Sequence, residues 1–288
     1  MRVVSLVPAG AEIVYALGAL EDLVAVTHDD DYPPEVKRLP SVTRSTIPPD
    51  ASAREIDERV RAAAAHGQST FHLDDALLRE LRPDVIVGQV LCAVCAVTLD
   101  QIPSELANAP VVVPLNASRI DGIFEDVRRV GTALGRDAAA ERLVSSLRVR
   151  LDALSRRVAG LARPRVACLE WLDPLFNAGH WVPEQVTIAG GNDVLGAPGA
   201  RSRVMTWDEV VAARPDIVIA MPCGWDGPRA AEEARSLPAI AGATVVGVDG
   251  GAYFSRPGPR VVDGAELLAS VFHPDAVRAP DGALAVTI

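Results

Sequence analysis

Aromatic residues are scarce, 4% of a 288-residue chain, which is too thin a supply for a surface on which nucleic-acid bases stack. Basic residues are outnumbered as well, 28 Lys and Arg against 38 Asp and Glu. The resulting formal charge of −10 excludes the clustered cationic surface that follows a phosphate backbone, so nucleic acid is not an expected partner. No apolar run reaches the roughly 18 residues that cross a bilayer, so no membrane span is predicted. The first core strand, Arg2 to Val7, begins directly after Met1 and leaves no space for a basic segment, an apolar stretch and a cleavage site. The expectation is therefore a cytoplasmic protein. Its four cysteines would then lie in a reducing compartment, where stable disulfides are rare. A Gly-x-Gly-x-x-Gly fingerprint is missing, and Gly190-Gly191 and Gly250-Gly251 read as turn glycines. There is no recognisable Ser-His-Asp series either, and no catalytic residue is assigned.

What the chain does contain is one local statement made twice. Leu81-Arg-Pro-Asp84 runs into Val85-Ile-Val87, and Ala213-Arg-Pro-Asp216 runs into Ile217-Val-Ile219. Each reads as a helix end, a proline that cannot continue it, an acidic turn and a short β-branched strand. Each half also opens on a strand, Arg2 to Val7 and Arg165 to Leu169. Strands alternating with helical stretches imply mostly parallel sheets covered on both faces. The fold class expected is α/β, two Rossmann-like lobes joined by a long rigid backbone helix. That helix follows Asp137, with Leu143, Leu147, Leu151, Leu154 and Val158 on one face, and stops at Gly160. The boundaries that follow are an N-terminal lobe over 1–117, connecting helices over 118–160 and a C-terminal lobe over 161–288. The stretch from Pro40 to Pro49 reads as irregular, and the tail after Pro274 as surface wrapping.

In such lobes the usable chemistry gathers at the carboxyl ends of strands. Those ends deliver His28, the segment Gln89 to Cys95, Glu170-Trp171, Pro222 to Trp225, and Asp249 to Tyr253. Cys92 and Cys95 have the spacing of paired metal thiolates, of a redox dithiol, and equally of two small packed residues. His180-Trp181 stands just before a helix and after an acidic strand end, a placement suited to binding. Trp225 and Tyr253 offer flat apolar contacts, and Arg256 a cation for a carboxylate or phosphate. The candidate ligand-binding set is His28, Cys92, Cys95, Glu170, His180, Trp181, Trp225, Tyr253 and Arg256, lining one interlobe cleft. Cys92, Cys95 and His180 are its candidate metal donors.

The chain resembles the periplasmic-binding-protein family of vitamin B12 and iron-siderophore uptake, in its cobalamin-binding-protein-like branch. The residues that carry the resemblance are Val4-Ser-Leu-Val-Pro8, Glu12-Ile-Val-Tyr-Ala-Leu-Gly18, Val26-Thr-His28, Arg82-Pro-Asp84 and Leu91-Cys-Ala-Val-Cys95. Further along they are Glu170-Trp-Leu-Asp-Pro174, Gly179-His-Trp-Val-Pro-Glu184 and Tyr253-Phe-Ser-Arg-Pro-Gly-Pro259. The resemblance implies two lobes, a ligand held between them without turnover, and ABC transporter components as possible partners. The ligand expected is cobalamin or another corrinoid, or a related metal-containing small molecule, with a bound metal ion possible. Two alternatives stand beside it: a metal-dependent or thiol-redox enzyme acting on a small molecule, and a non-catalytic cytoplasmic ligand sensor.

Overall fold

Both Arg-Pro-Asp motifs build the same clamp at the start of a parallel sheet. The computed structural model describes residues 1–89, 97, 101–103, 106 and 109–288; Cys92 and Cys95 lie outside them. The amide of Arg2 donates to the Asp84 carboxylate at 2.7 Å, the Asp84 amide returns to the Arg2 carbonyl at 2.8 Å, and the Val111 amide reaches the Asp84 carbonyl at 2.9 Å. In the second half Arg165, Asp216 and Thr244 repeat those three bonds at 2.7, 2.8 and 2.9 Å. Arg82 and Arg214, the residues before each proline, both take left-handed backbone at φ 44° and 45°. The clamp ties three parallel strands at their amino ends and fixes where each sheet begins.

The chain divides into two units, Met1–Ala117 with Asp121–Ser145, and Ser118–Ile120 with Ser146–Ile288. The first contains β1 (Val3–Ser5), α1 (Pro8–Ala16), β2 (Leu23–Ala25), β3 (Thr43–Ser45), α2 (Ala53–Ala65), β4 (Phe71–Leu73), α3 (Asp75–Leu81), β5 (Val85–Gln89) and β6 (Val111–Leu115). Its main sheet has the order β2-β1-β5-β6 with parallel pairing throughout. Val4, Leu6 and Ile86 are fully buried with Ala25, Val42 and Leu78, which is why these strands read as continuous apolar runs. Each of the Val, Leu and Ile side chains contributes roughly 1.5–3 kcal/mol by leaving water. Strand 1 stops at Ser5 rather than Val7 because Pro8 occupies the first turn of α1, where its missing N–H costs nothing. The region read as irregular holds β3, which pairs antiparallel with β4.

Helices α4 (Ile120–Ala133) and α5 (Asp137–Val158) follow. Along α5, Leu147, Leu151, Leu154 and Val158 are buried as their spacing predicts, while Val144 is buried in place of Leu143, which is only half-buried. The chain passes between the two units at Ala117/Ser118, Ile120/Asp121 and Ser145/Ser146, the last of these inside α5.

The second unit continues with β7 (Arg165–Leu172), β8 (Leu175–Asn177), α6 (Val182–Ile188), β9 (Asn192–Asp193), α7 (Trp207–Ala212), β10 (Ile217–Ala220), α8 (Gly227–Ala234), β11 (Thr244–Val248), α9 (Gly250–Tyr253), α10 (Val261–Phe272) and β12 (Ala285–Thr287). The sheet order is β12-β11-β10-β7-β8, with β9 also on β7. Strands β7, β10 and β11 run parallel, while β8 and β12 pair antiparallel at the two sides. The tail expected to wrap the surface therefore supplies an edge strand. The architecture is mixed α/β with a sheet in each unit.

Candidate functional site

The carboxyl ends of β7, β10 and β11 assemble most of the candidate residues of the second unit. Beyond Leu169 the pairing of β7 with β8 shifts register at a bulge, so Glu170 and Trp171 are both half-buried instead of alternating in and out. The Glu170 carboxylate accepts the Gly179 amide at 3.3 Å, and the Glu170 carbonyl accepts the Cys223 amide at 3.1 Å. These two bonds tie the carboxyl end of β7 to the loops after β8 and β10.

His180 is held in left-handed backbone at φ 54°. Its amide donates to the Ala200 carbonyl at 2.6 Å and its own carbonyl accepts from Gly199 at 2.8 Å, which together hold a conformation that costs a non-glycine residue of order 1 kcal/mol or more. Gly179 makes this approach feasible, because a Cβ there would stand 2.7 Å from the Ala200 carbonyl oxygen. Burial, followed by the Arg201 charge, pushes the His180 imidazole below its ordinary value of 6.5, so it is neutral at neutral pH and retains a lone pair. The Trp181 ring lies 5.9 Å from the His180 ring, yet Trp181 is only 4% exposed. It is a core residue whose indole N–H has no protein acceptor.

Trp225 is also buried. Its ring packs 5.4 Å from that of Trp171, and the Arg229 guanidinium lies 4.1 Å above it, a cation–π contact. The Gly251 amide donates to the Trp225 carbonyl at 3.2 Å, which joins this cluster to α9. There the half-buried Tyr253 ring has the Arg260 guanidinium at 5.7 Å. Arg256 is half-buried in the same loop, where its carbonyl accepts the Gly258 amide at 2.9 Å. The structure thus joins Glu170, His180, Trp181, Trp225, Tyr253 and Arg256 through one connected set of loops. Trp171, Arg229 and Arg260 belong with them and were missing from the candidate set. The signal for Trp171 was its position directly after a strand; that for Arg229 was its place four residues after Trp225, one helical turn on.

His28 belongs to the first unit. Its Nδ1 lies 2.7 Å from the Thr43 hydroxyl, its Nε2 3.4 Å from the Asp29 carboxylate, and its ring 5.5 Å from Phe71. Thr43 also lines a polar pocket of about 320 Å³ with Arg44, His72 and Asp74. Cys92 and Cys95 fall outside the described residues. Among the described residues no group of three or more His, Cys, Asp or Glu is placed to hold a metal ion. Cys168 is fully buried in β7, and burial drives its thiol well above the ordinary range, as suits a packing residue.

Residues 3–246 match the periplasmic binding protein family. The chain is 23% identical to an uncharacterised ABC transporter substrate-binding lipoprotein, YvrC, of Bacillus subtilis, covering 96% of this chain and 81% of that protein. It is 27% identical to a vitamin B12-binding protein of Pectobacterium carotovorum, covering 93% of this chain and 87% of the relative. Among solved structures, a periplasmic heme binding protein from Pseudomonas aeruginosa superposes with a TM-score of 0.70 at 21% identity, over 96% of this chain and 93% of that one. The chain belongs to the periplasmic binding protein family and is a non-catalytic solute-binding protein. The enzyme alternative is set aside. The cytoplasmic expectation is corrected, and the cytoplasmic sensor with it, because the matched family and its solved relatives are periplasmic. With the cytoplasmic expectation goes the reducing compartment in which stable disulfides are rare. Among the described residues no helix is long and apolar enough to cross a membrane.

Proposed function

We propose that this periplasmic binding protein captures a flat, metal-containing macrocycle, with a corrinoid such as cobalamin as the first candidate, and hands it to an ABC transporter. The observation that carries the reading is the neutral imidazole of His180, held on left-handed backbone and joined through the Gly179 amide to Glu170, which neighbours the half-buried Trp171. A macrocycle needs an apolar face to lie on, polar groups for its rim, and a donor for its metal. Trp171 and Tyr253 suit the first, Glu170, Arg256 and Arg260 the second, and His180 the third. In this reading His28, Cys92 and Cys95 remain candidate contacts from the first unit. The Pectobacterium relative binds vitamin B12 and the Bacillus relative is a transporter component, which supports both ligand class and partner.

Titration with cobalamin, cobinamide and haem, read by absorbance and calorimetry, tests the proposal. The expected result is saturable corrinoid binding with a visible-band shift that is lost in His180→Ala and weakened in Trp171→Ala. Binding of haem alone would move the ligand to the iron macrocycles. Failure of all three would end the macrocycle reading.

A further inference from the structure

At the other end of the second unit, where its sheet begins, the chain gathers arginine. From Ala153 to Leu169 it carries Arg156, Arg157, Arg163 and Arg165 and no acidic residue, in a protein of net charge −10. Arg156 and Arg157 form the last turn of α5, after which Gly160 turns the chain at φ 83°. Arg163 then donates to the carbonyls of Thr187, at 3.3 Å, and Gly191. Arg165 donates to the carbonyls of Ala213 at 2.6 Å and Arg214 at 3.0 Å. Thr187 lies in the last turn of α6, and Ala213 and Arg214 follow α7. The bonds therefore collect three helix ends, with Arg214, on one rim. All five guanidinium-bearing residues are exposed. In the segment between Arg157 and Arg163, Leu161 is 38% exposed.

Favourable interaction with helix dipoles accounts for arginine at helix ends, but it gives no reason for an exposed leucine in the short segment that joins them. We infer that this rim docks on an anionic phospholipid surface, with the arginines on phosphodiesters and Leu161 entering the headgroup layer. The negative charge of the whole chain does not prevent this. At physiological ionic strength fields decay over about 8 Å, so the local cluster governs the contact. Its acidic neighbours include Asp216, whose carboxylate accepts the Arg165 amide, Asp193, half-buried in β9 beside β7, and Asp152, one turn before Arg156 on α5. Guanidinium groups match phosphate oxygens in a planar, two-pronged geometry. Each arginine brought to an anionic bilayer raises partitioning about fivefold.

Co-sedimentation of the full chain with vesicles of phosphatidylcholine, alone or mixed with phosphatidylglycerol, tests the inference. Binding is expected only to the mixed vesicles, and should weaken as salt is raised. Arg156→Glu with Arg157→Glu should reduce it at least about 25-fold, by the same fivefold per residue. Leu161→Ser should weaken it with the charge unchanged. Thermal unfolding of each variant checks that it folds, and Arg156→Gln with Arg157→Gln takes the place of a double reversal that does not. Equal binding to both vesicle types, unchanged binding by the folded double variant, or equal affinity for soluble polyglutamate would overturn the lipid assignment. The last outcome would point to an acidic protein partner.

Discussion

Gly264→Ala sets two physical effects of opposite sign against each other. Gly264 lies inside α10, where replacing glycine by alanine ordinarily stabilises a helix by about 1 kcal/mol. Here a Cβ would stand 2.6 Å from the Gln185 amide nitrogen, 2.6 Å from the Tyr253 carbonyl oxygen and 3.2 Å from the Phe254 ring. Gln185 is fully buried, and its amide donates to Val261 at 2.8 Å and Tyr253 at 3.1 Å. Moving it aside sacrifices two hydrogen bonds of about 1 kcal/mol each, while overpacking adds about 1–3 kcal/mol. The steric side wins, and the expected net destabilisation is about 2–4 kcal/mol. Urea unfolding followed by tryptophan fluorescence measures it.

The same substitution carries a functional consequence, because Tyr253 and Val261 flank the loop that bears Arg256 and Arg260. Ligand affinity should fall together with stability. A double-mutant cycle with Gln185→Ala should show coupling of about 1 kcal/mol or more, since that change removes one of the colliding groups. A Gly264→Ala protein as stable as its parent would refute the reasoning outright. Strict additivity would show that Gln185 is not the group in the way.

Three further outcomes are expected. Burial pushes the Asp126 carboxyl up to about 6, outweighing the Arg129 ion pair and the amides of Asn116 and Ala117, so the folded state holds a proton that the unfolded chain has released. Stability from this group therefore rises as pH falls through about 6 towards 4, by up to about 3 kcal/mol, and urea midpoints of Asp126→Asn should lack that rise. For His180 the sign of the effect on affinity is opposite: protonation below its lowered value removes the lone pair, so cobinamide affinity should drop on the acid side of 6.5, and His180→Gln should abolish the pH dependence in calorimetry. Thr206→Ala removes one half of the capping box with Glu209 at the start of α7; thermal melts should show a loss of about 1 kcal/mol.

Elements built from local chemistry were legible in the sequence. The helix after Asp137 forms as α5, and β5 and β10 follow the two Arg-Pro-Asp turns where their β-branched runs placed them. Features that depend on a distant partner were not. Strand β12 exists because β11 offers it an edge, and β3 because β4 lies opposite. Trp181 and Trp171 show the same division within the site. The sequence offered Trp181 as a binding residue beside His180, but the loop after β8 turns it into the core, while the bulge in β7 leaves Trp171 half-buried at the strand end. A register shift of that kind depends on which strand lies alongside, and no alternation of side chains within β7 announces it.

The repeated clamp shows where specificity has to reside. Arg2-Asp84 and Arg165-Asp216 make corresponding bonds, so their sheets can be aligned residue by residue from the two aspartates. Counted along the sequence from those aspartates, position 91 corresponds to 223 and position 93 to 225. The two halves agree through their β-branched strands and part immediately beyond them. One continues as Leu-Cys-Ala-Val-Cys, the other as Cys-Gly-Trp-Asp-Gly-Pro-Arg. A shared scaffold places backbone, and a solute is distinguished by the side chains that the scaffold leaves free to differ. Trp225 and Arg229 lie in the divergent segment, stacked on one another and packed beside Trp171. Replacing Arg229 by alanine leaves the clamp and the sheet untouched, so a change of solute preference in that variant would trace selectivity to the divergence itself.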